Sequence, residues 1–312
     1  MKLLSIRTES FRGLADGTYV FGSAGSVPHF AAITGSRGAG KTTLLEAIIA
    51  AKESVSPYGA WESGPSFIRR GRAAATLEAR WWLSDDERTL GETTEPVLSS
   101  KTEIAVNGSV EVENDVALTT VLGSYKLASS ASKFEYFDAD RRLDGMSAYL
   151  GDDADRGLRL SRDPRKYSAV IPFLARMAAA QDDTEGTPWR RFALAFATLC
   201  KDRMFLGTET LSGQERLVFS DLNGVGTTPM QLSGAQKQAL IFAATSVRLR
   251  LEQSVVLIDS PELGLPCDEV VRFTTAVAEF FPDGQVIVAT ASRELLSSLP
   301  SERVITLGGS RQ

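Results

Sequence analysis

The chain has 312 residues, 43% of them hydrophobic and 23% charged, the make-up of an ordinary globular protein with room for one large or two small domains. Its 34 basic and 39 acidic residues leave a net charge of −5, which excludes a chain coated in cationic surface for unspecific nucleic-acid binding but allows local basic patches. A single histidine (His29) and two cysteines (Cys200, Cys267) leave almost no room for a histidine-built metal site, a Ser-His-Asp triad or a disulfide framework. No apolar run approaches the roughly 18 residues of a membrane span, and the first seven residues break into charge too early for a signal peptide. A cytoplasmic protein with no membrane partner is expected.

In chain order, residues 3–21 read as two short strands, with apolar Leu4, Ile6 and Phe11, a turn near Asp16-Gly17, then Tyr19-Val20-Phe21. Residues 29–34 resemble a buried central strand, and a glycine-rich turn leads from them into a helix with Leu44, Leu45, Ile48 and Ile49 on one face. Between 73 and 121 an antiparallel β lobe is expected, built from a strand over 75–83 and a hairpin around Asn107-Gly108. Trp81 and Trp82 face opposite ways on that strand, so at most one is core. A further strand over 134–137 ends in Asp138-Ala139-Asp140-Arg141-Arg142. Residues 145–204 read as a helical insertion interrupted by a polar loop at 181–188, and 205–219 as another hairpin. The tail alternates helix and strand: a helix from about 234, a strand over 255–258, a helix over 268–281 stopped by Pro282, a strand over 285–290, a short helix and a strand over 304–307. That alternation predicts a parallel sheet with crossover helices. His29 should simply begin its strand, and both cysteines should be packing residues.

Gly35-Ser36-Arg37-Gly38-Ala39-Gly40-Lys41-Thr42 matches G-x-x-x-x-G-K-[ST] in full, with a strand before it and an amphipathic helix after it. Glycines let successive backbone N–H groups turn onto phosphates, and the helix presents its positive end to the same charge. Lys41 is placed to reach the β- and γ-phosphates, and the Thr42 hydroxyl to bind Mg²⁺, with Thr43 following in the same turn. Arg37, inside the loop, and Arg12 are both expected near the nucleotide. Val255-Val256-Leu257-Ile258-Asp259 is an apolar strand ending in a carboxylate. Set beside the phosphate loop in the sheet, Asp259 can hold the same Mg²⁺. More than 200 residues separate the two motifs, far more than a small GTPase or nucleoside kinase needs.

Before Asp259 comes Leu232-Ser233-Gly234-Ala235-Gln236, opening a helix; Ser233 is a good N-cap, and a Ser-Gly helix start is a second anion site. This run resembles the LSGGQ signature of ATP-binding cassette (ABC) ATPases. In the order phosphate loop, signature, acidic strand, the chain resembles the non-transporter ABC ATPases: SMC proteins, RecF, overcoming-lysogenization (OLD) nucleases and RecF-like ATPases of bacterial genome maintenance and defence. Ser10-Phe11-Arg12-Gly13 looks like their "NFRG" start. Phe67-Ile68-Arg69-Arg70-Gly71, Tyr136-Phe137 with Arg141, and Asp259-Ser260-Pro261-Glu262-Leu263 beside "DEPExxLHP" follow in the expected order.

The resemblance implies one α/β P-loop head over 1–312, with a mixed or parallel sheet, the antiparallel lobe at 73–121 and the helical insertion at 145–204. It implies ATP and Mg²⁺ as cofactors and a homodimer or higher homo-oligomer, with Ser233 and Gly234 of one copy touching the γ-phosphate held by Lys41 and Thr42 of the other. A separate effector protein and DNA are the further candidate partners. Two positions depart from the family: Ser260 stands where the catalytic glutamate is expected and Ala291 where the switch histidine is expected. Losing a general base typically costs about 10²–10⁴-fold in rate, so Mg-ATP binding with slow hydrolysis is expected. Lys41, Asp259 and Glu262 are the candidate catalytic residues; Glu262 either replaces the missing base or matches the family's second glutamate in the dimer-facing loop. Two rivals stand beside an ATP-gated switch: a hydrolysis-deficient scaffold and a transporter's nucleotide-binding subunit, the latter disfavoured by the long gap from Lys41 to Ser233. Four basic clusters (Arg69, Arg70 and Arg72; Arg141 and Arg142; Arg162, Arg165 and Lys166; Arg190 and Arg191) read either as DNA or partner contacts or as solvated faces and internal pairs.

Overall fold

A computed structural model describes the chain except for residues 60–63, 126–132, 144–150, 181–183, 185, 212–213 and 309–312, and the side chains of 152–154 and 211–215. The first half runs β1 (Lys2–Glu9), β2 (Gly17–Val20), β3 (Phe30–Gly35), α1 (Lys41–Val55), β4 (Ala74–Trp82), α2 (Asp85–Leu90), β5 (Val97–Ala105), β6 (Val110–Asn114), α3 (Val116–Leu122) and β7 (Phe134–Phe137). There follow α4 (Asp152–Leu158), α5 (Val170–Ala180), α6 (Pro188–Leu199), β8 (Arg203–Leu211), β9 (Gln214–Asp221) and β10 (Gly226–Thr227). The tail holds α7 (Gly234–Leu249), β11 (Val255–Asp259), α8 (Val270–Ala278), β12 (Gln285–Ala289), α9 (Arg293–Ser297) and β13 (Val304–Leu307). Half of the expected 181–188 loop and the start of the expected 145–204 insertion lie outside the described residues.

The central sheet has the order β13-β3-β12-β11-β7 and is parallel throughout. Helices and a second sheet cover its two faces, so its strands are apolar on both sides. Side chains divide by parity: Val255 and Leu257 of β11 join Leu44 and Ile48 of α1, while Val256 and Ile258 join Leu240 and Phe242 of α7. In β3, Ala31 and Ile33 take the α1 side, and Phe30 and Ala32 the other. From sequence, β11 was expected beside the phosphate-loop strand. Instead β12 lies between β3 and β11, because periodicity identifies strands but not their neighbours.

The antiparallel sheet, ordered β2-β1-β4-β5-β6, draws β1 and β2 from the chain's start into the same layer as the strands between 73 and 121. Alternating Ala75, Leu77, Ala79 and Trp81 fill its inner face; Trp81 is fully buried and Trp82 only partly. The segment also holds two short helices that the strand reading lacked, both started by side-chain caps: the Ser84–Glu87 capping box for α2 and Asp115 for α3. The third sheet is the β8–β9 hairpin with β10 at its edge. It seats on the helical segment through aromatic contacts, Phe205 against Trp189 and Phe192, and Phe219 against Phe196. Cys200 is buried, as expected; Cys267 is exposed, contrary to its reading as a packing residue. No helix among the described residues is long and apolar enough to cross a membrane.

Candidate functional site

The phosphate loop occupies the gap between β3 and α1, at the C-terminal edge of the parallel sheet. Gly35 packs so closely that a Cβ there would stand 2.6 Å from the Leu307 carbonyl oxygen of β13. Gly40 is the N-cap of α1 in a left-handed conformation (φ 96°) with no side-chain cap, so the first N–H groups of the helix keep their donors for an external acceptor. Ser36, Arg37 and Gly38 are exposed, while Ala39, Gly40, Lys41, Thr42 and Thr43 are partly covered. The Lys41 ammonium folds back and donates to the carbonyls of Gly35 (3.0 Å) and Ser36 (3.2 Å).

The tertiary fold brings Asp259 to this loop across one intervening strand. The Thr42 hydroxyl donates to Asp259 Oδ2 at 2.7 Å, although 217 residues separate them. Tyr136, at the end of β7, points its hydroxyl at the same oxygen (3.5 Å); burial, and secondarily the Asp259 charge, push its phenol well above the usual range. Ser260 holds a left-handed backbone (φ 51°): its N–H donates to the Ala289 carbonyl at 2.8 Å, and its hydroxyl to Asp259 Oδ1 at 3.2 Å. Glu262 accepts from the Thr290 hydroxyl (2.9 Å) and from the Ala291 N–H (2.8 Å). Both of its oxygens are thus tied to the segment after β12, where the switch histidine was expected.

Arg12 sits beside the loop by an ion pair to Glu46 of α1, a bond from Nε to the Ser66 carbonyl (3.2 Å) and stacking over Phe67 (4.7 Å to the ring centre). Arg162 pairs with the other Glu46 oxygen at 2.7 Å; burial works against its proton, but the Glu46 and Asp259 carboxylates and a hydrogen bond with Tyr136 outweigh it and raise its pKa. Glu46 was missed from sequence, although it lies four residues after Thr42 and therefore on the same helix face.

Ser233 and Gly234 are exposed at the start of α7, and no hydrogen bond joins them to the phosphate loop of the same chain among the described residues. Ser233 and Gln236 close a reciprocal capping box, and Gln236 also donates to Asp202 at 2.7 Å. The Asp202 carboxylate in turn accepts from the buried Cys200 thiol (3.2 Å), whose pKa burial pushes up to about 12. Gly264, in the turn after Asp259, lies against the Gly234 backbone.

The basic clusters resolve mostly into internal pairs. Arg69 binds Asp16, Arg142 binds Asp140, Arg165 binds Asp163 and Arg191 binds Glu252. Arg141 and Lys166 are buried, Lys166 against Glu135 at 3.1 Å, which removes both from any surface for DNA. Arg70, Arg72 and Arg190 are exposed.

No protein-family model and no curated protein matches this chain. Solved structures do. A crystal structure of an SMC head bound to the C-terminal winged-helix domain of ScpA matches with a TM-score of 0.63 and 14% identity, over 98% of this chain and 97% of that one. An SMC head with an extended coiled coil, bound to the C-terminal domain of ScpA, from Pyrococcus furiosus, matches with a TM-score of 0.60 and 13% identity, over 95% and 91%. The SMC head domain of Thermotoga maritima matches with a TM-score of 0.51 and 14% identity, over 96% and 92%. The chain therefore has the fold of an SMC-type head: an α/β fold with mixed parallel and antiparallel sheets, as in P-loop ABC-type ATPases.

Proposed function

We propose that this chain is an ABC-type ATPase head that binds Mg-ATP, pairs with a second copy across the nucleotide, hydrolyses slowly and gates a partner protein. The observation that carries the reading is the 2.7 Å contact between Thr42 and Asp259. A hydroxyl and a carboxylate meeting beside an uncapped, glycine-lined helix start are the hard oxygen donors that Mg²⁺ takes next to phosphate. When bound, the cation neutralises charge on the β- and γ-phosphates. Lys41 exchanges its two carbonyl acceptors for phosphate oxygens, and the free N–H groups at the start of α1 take the rest.

Slow turnover follows from the groups around Asp259. The Ser260 hydroxyl is no carboxylate base at neutral pH, and both Glu262 oxygens are engaged with Thr290 and Ala291. Glu262 accordingly holds the segment after β12 in place instead of activating water. Ser260 and Ala291 together favour one second reading, an ATP-binding scaffold without turnover. Phosphate release above that of a Lys41→Ala control eliminates it.

The exposed Ser233-Gly234 turn supports the pairing: it faces outward, available to a nucleotide held by another copy. Among the similar structures, two heads are bound to ScpA domains, which supports a separate effector protein here. DNA contact is left to the exposed Arg70 and Arg72. A cytoplasmic role in genome maintenance or anti-phage defence rests on fold analogy. The test is molecular mass by light scattering with Mg²⁺ and a non-hydrolysable ATP analogue. A doubling is expected; a monomer at saturating analogue refutes the shared-nucleotide reading.

A further inference from the structure

Arg141 lies at the end of β7, was grouped from sequence with exposed Arg142, and is 5% exposed. Its guanidinium donates to the carbonyls of Phe137 and Asp138 on its own strand end, of Asp259 (2.8 Å) and of Ser260 (3.0 Å). Through Nε it donates to Gln238 Oε1 at 2.5 Å, and Gln238 Nε2 returns a bond to the Arg141 carbonyl at 3.4 Å. Below it stands the Phe242 ring, 5.2 Å from the guanidinium carbon. Gln238 and Phe242 are both on α7, in the first turns after the Ser233 cap. One side chain therefore grips the strand end carrying Asp259, the left-handed Ser260 turn and the helix that presents the signature. Only arginine offers five donors in a fixed planar fork for such a set; lysine carries the charge on a flexible point.

We propose that Arg141 and Gln238 are positioning residues that couple the nucleotide turn at 259–260 to the signature helix α7 of the same chain. The proposal rests on the nucleotide reading above and deepens it. In a paired head, the turn serves the nucleotide held by its own chain, whereas α7 serves the one held by the partner. A rigid link between them makes the two nucleotide sites report to each other. Buried hydrogen-bonded contacts of this kind shift as a unit, because breaking any one strands a buried donor. Such a link is a coupling free energy between two sites, and it acts in both directions.

The test uses Mg-ADP, which loads the phosphate loop without a γ-phosphate to bridge two copies, with the monomeric state checked by mass. In the wild-type chain, Mg-ADP should slow amide exchange of residues 234–238 by about threefold or more. Gln238→Leu should abolish that protection, with ADP affinity within about twofold of wild type, while Gln238→Glu, which keeps the acceptor, should preserve it. Arg141→Lys keeps the cation without the fork and should behave as Gln238→Leu. Protection that persists in Gln238→Leu, or its absence in a wild-type chain that binds Mg-ADP, overturns the coupling alone. Failure of the wild-type chain to bind any adenine nucleotide overturns the underlying reading, and the coupling with it.

Discussion

Two of the glycine-containing helix starts, at α1 and at α7, are built for opposite conditions. At α1 the N-cap is Gly40, left-handed and with no side-chain acceptor. At α7 the N-cap is Ser233, whose hydroxyl accepts from the Gln236 N–H while Gln236 reaches back to the Ser233 N–H. The first leaves backbone donors open at the bottom of a loop, with Asp259 close enough to bond Thr42. The second ties up its Ser233 and Gln236 N–H groups locally and stands exposed. A helix end left uncapped beside a lysine and a carboxylate keeps donors that water or an anionic ligand from solution can fill. A helix end already capped holds its shape without one, and so makes a pre-formed surface to press on a ligand held elsewhere.

The substitution that breaks this contrast most severely is Lys41→Ala. It removes the cation from the open start, and binding of a fluorescent ATP analogue should fall by about 100-fold or more; unchanged affinity refutes the phosphate-loop assignment. Asp259→Asn should be next, removing the Mg²⁺-dependent gain in affinity, which titrations with and without EDTA would read; a gain that survives moves the metal away from Thr42. At the capped start, Ser233→Arg should leave single-chain nucleotide binding within about twofold yet eliminate analogue-driven pairing in light scattering. An equal loss of both would show that the two starts are not independent.

Ser260→Glu sharpens the catalytic half of the comparison. It should raise phosphate release by about tenfold or more if the missing base limits the rate, reduced from the full effect by the left-handed backbone at 260. The smallest effect lies at the far end of α1. There Lys52 is buried against Glu53 and over the Tyr58 ring, and burial pulls its pKa from 10.5 to about 8. Between these values the unfolded chain binds more protons than the folded one, so the Lys52 contribution to stability rises with pH from about 8 to 10.5. A pH series of thermal midpoints should show that rise, and Lys52→Met should flatten it.

Much of this site is legible in the residues. The phosphate loop, Asp259 and the Leu232–Gln236 run are read from motif chemistry, because each is local: a glycine turn, an apolar strand ending in acid, a capped helix start. Glu46 and Gln238 escape that reading, and Arg141 enters it only beside Tyr136-Phe137 and as half of a basic pair, with no role assigned. Arg141 beside Arg142 looks like surface charge, and nothing in its neighbours announces that it will meet Gln238, 97 positions later. Glu262 shows the same limit in reverse. A carboxylate three residues after Asp259 reads either as a replacement base or as a second glutamate of a dimer-facing loop, and only the fold shows both oxygens held by Thr290 and Ala291.

The sequence alone determined the strand and helix periods, the caps and turns that bound them, and the residue types able to hold phosphate and metal, since all of these depend on neighbours within a few positions. The tertiary structure alone decided that β12 stands between β3 and β11, that β1 and β2 join the antiparallel sheet, and that a buried arginine ties three separate segments together. Strand order and buried polar contacts are set by which surfaces can pack without stranding a donor, and that is a property of the whole chain at once.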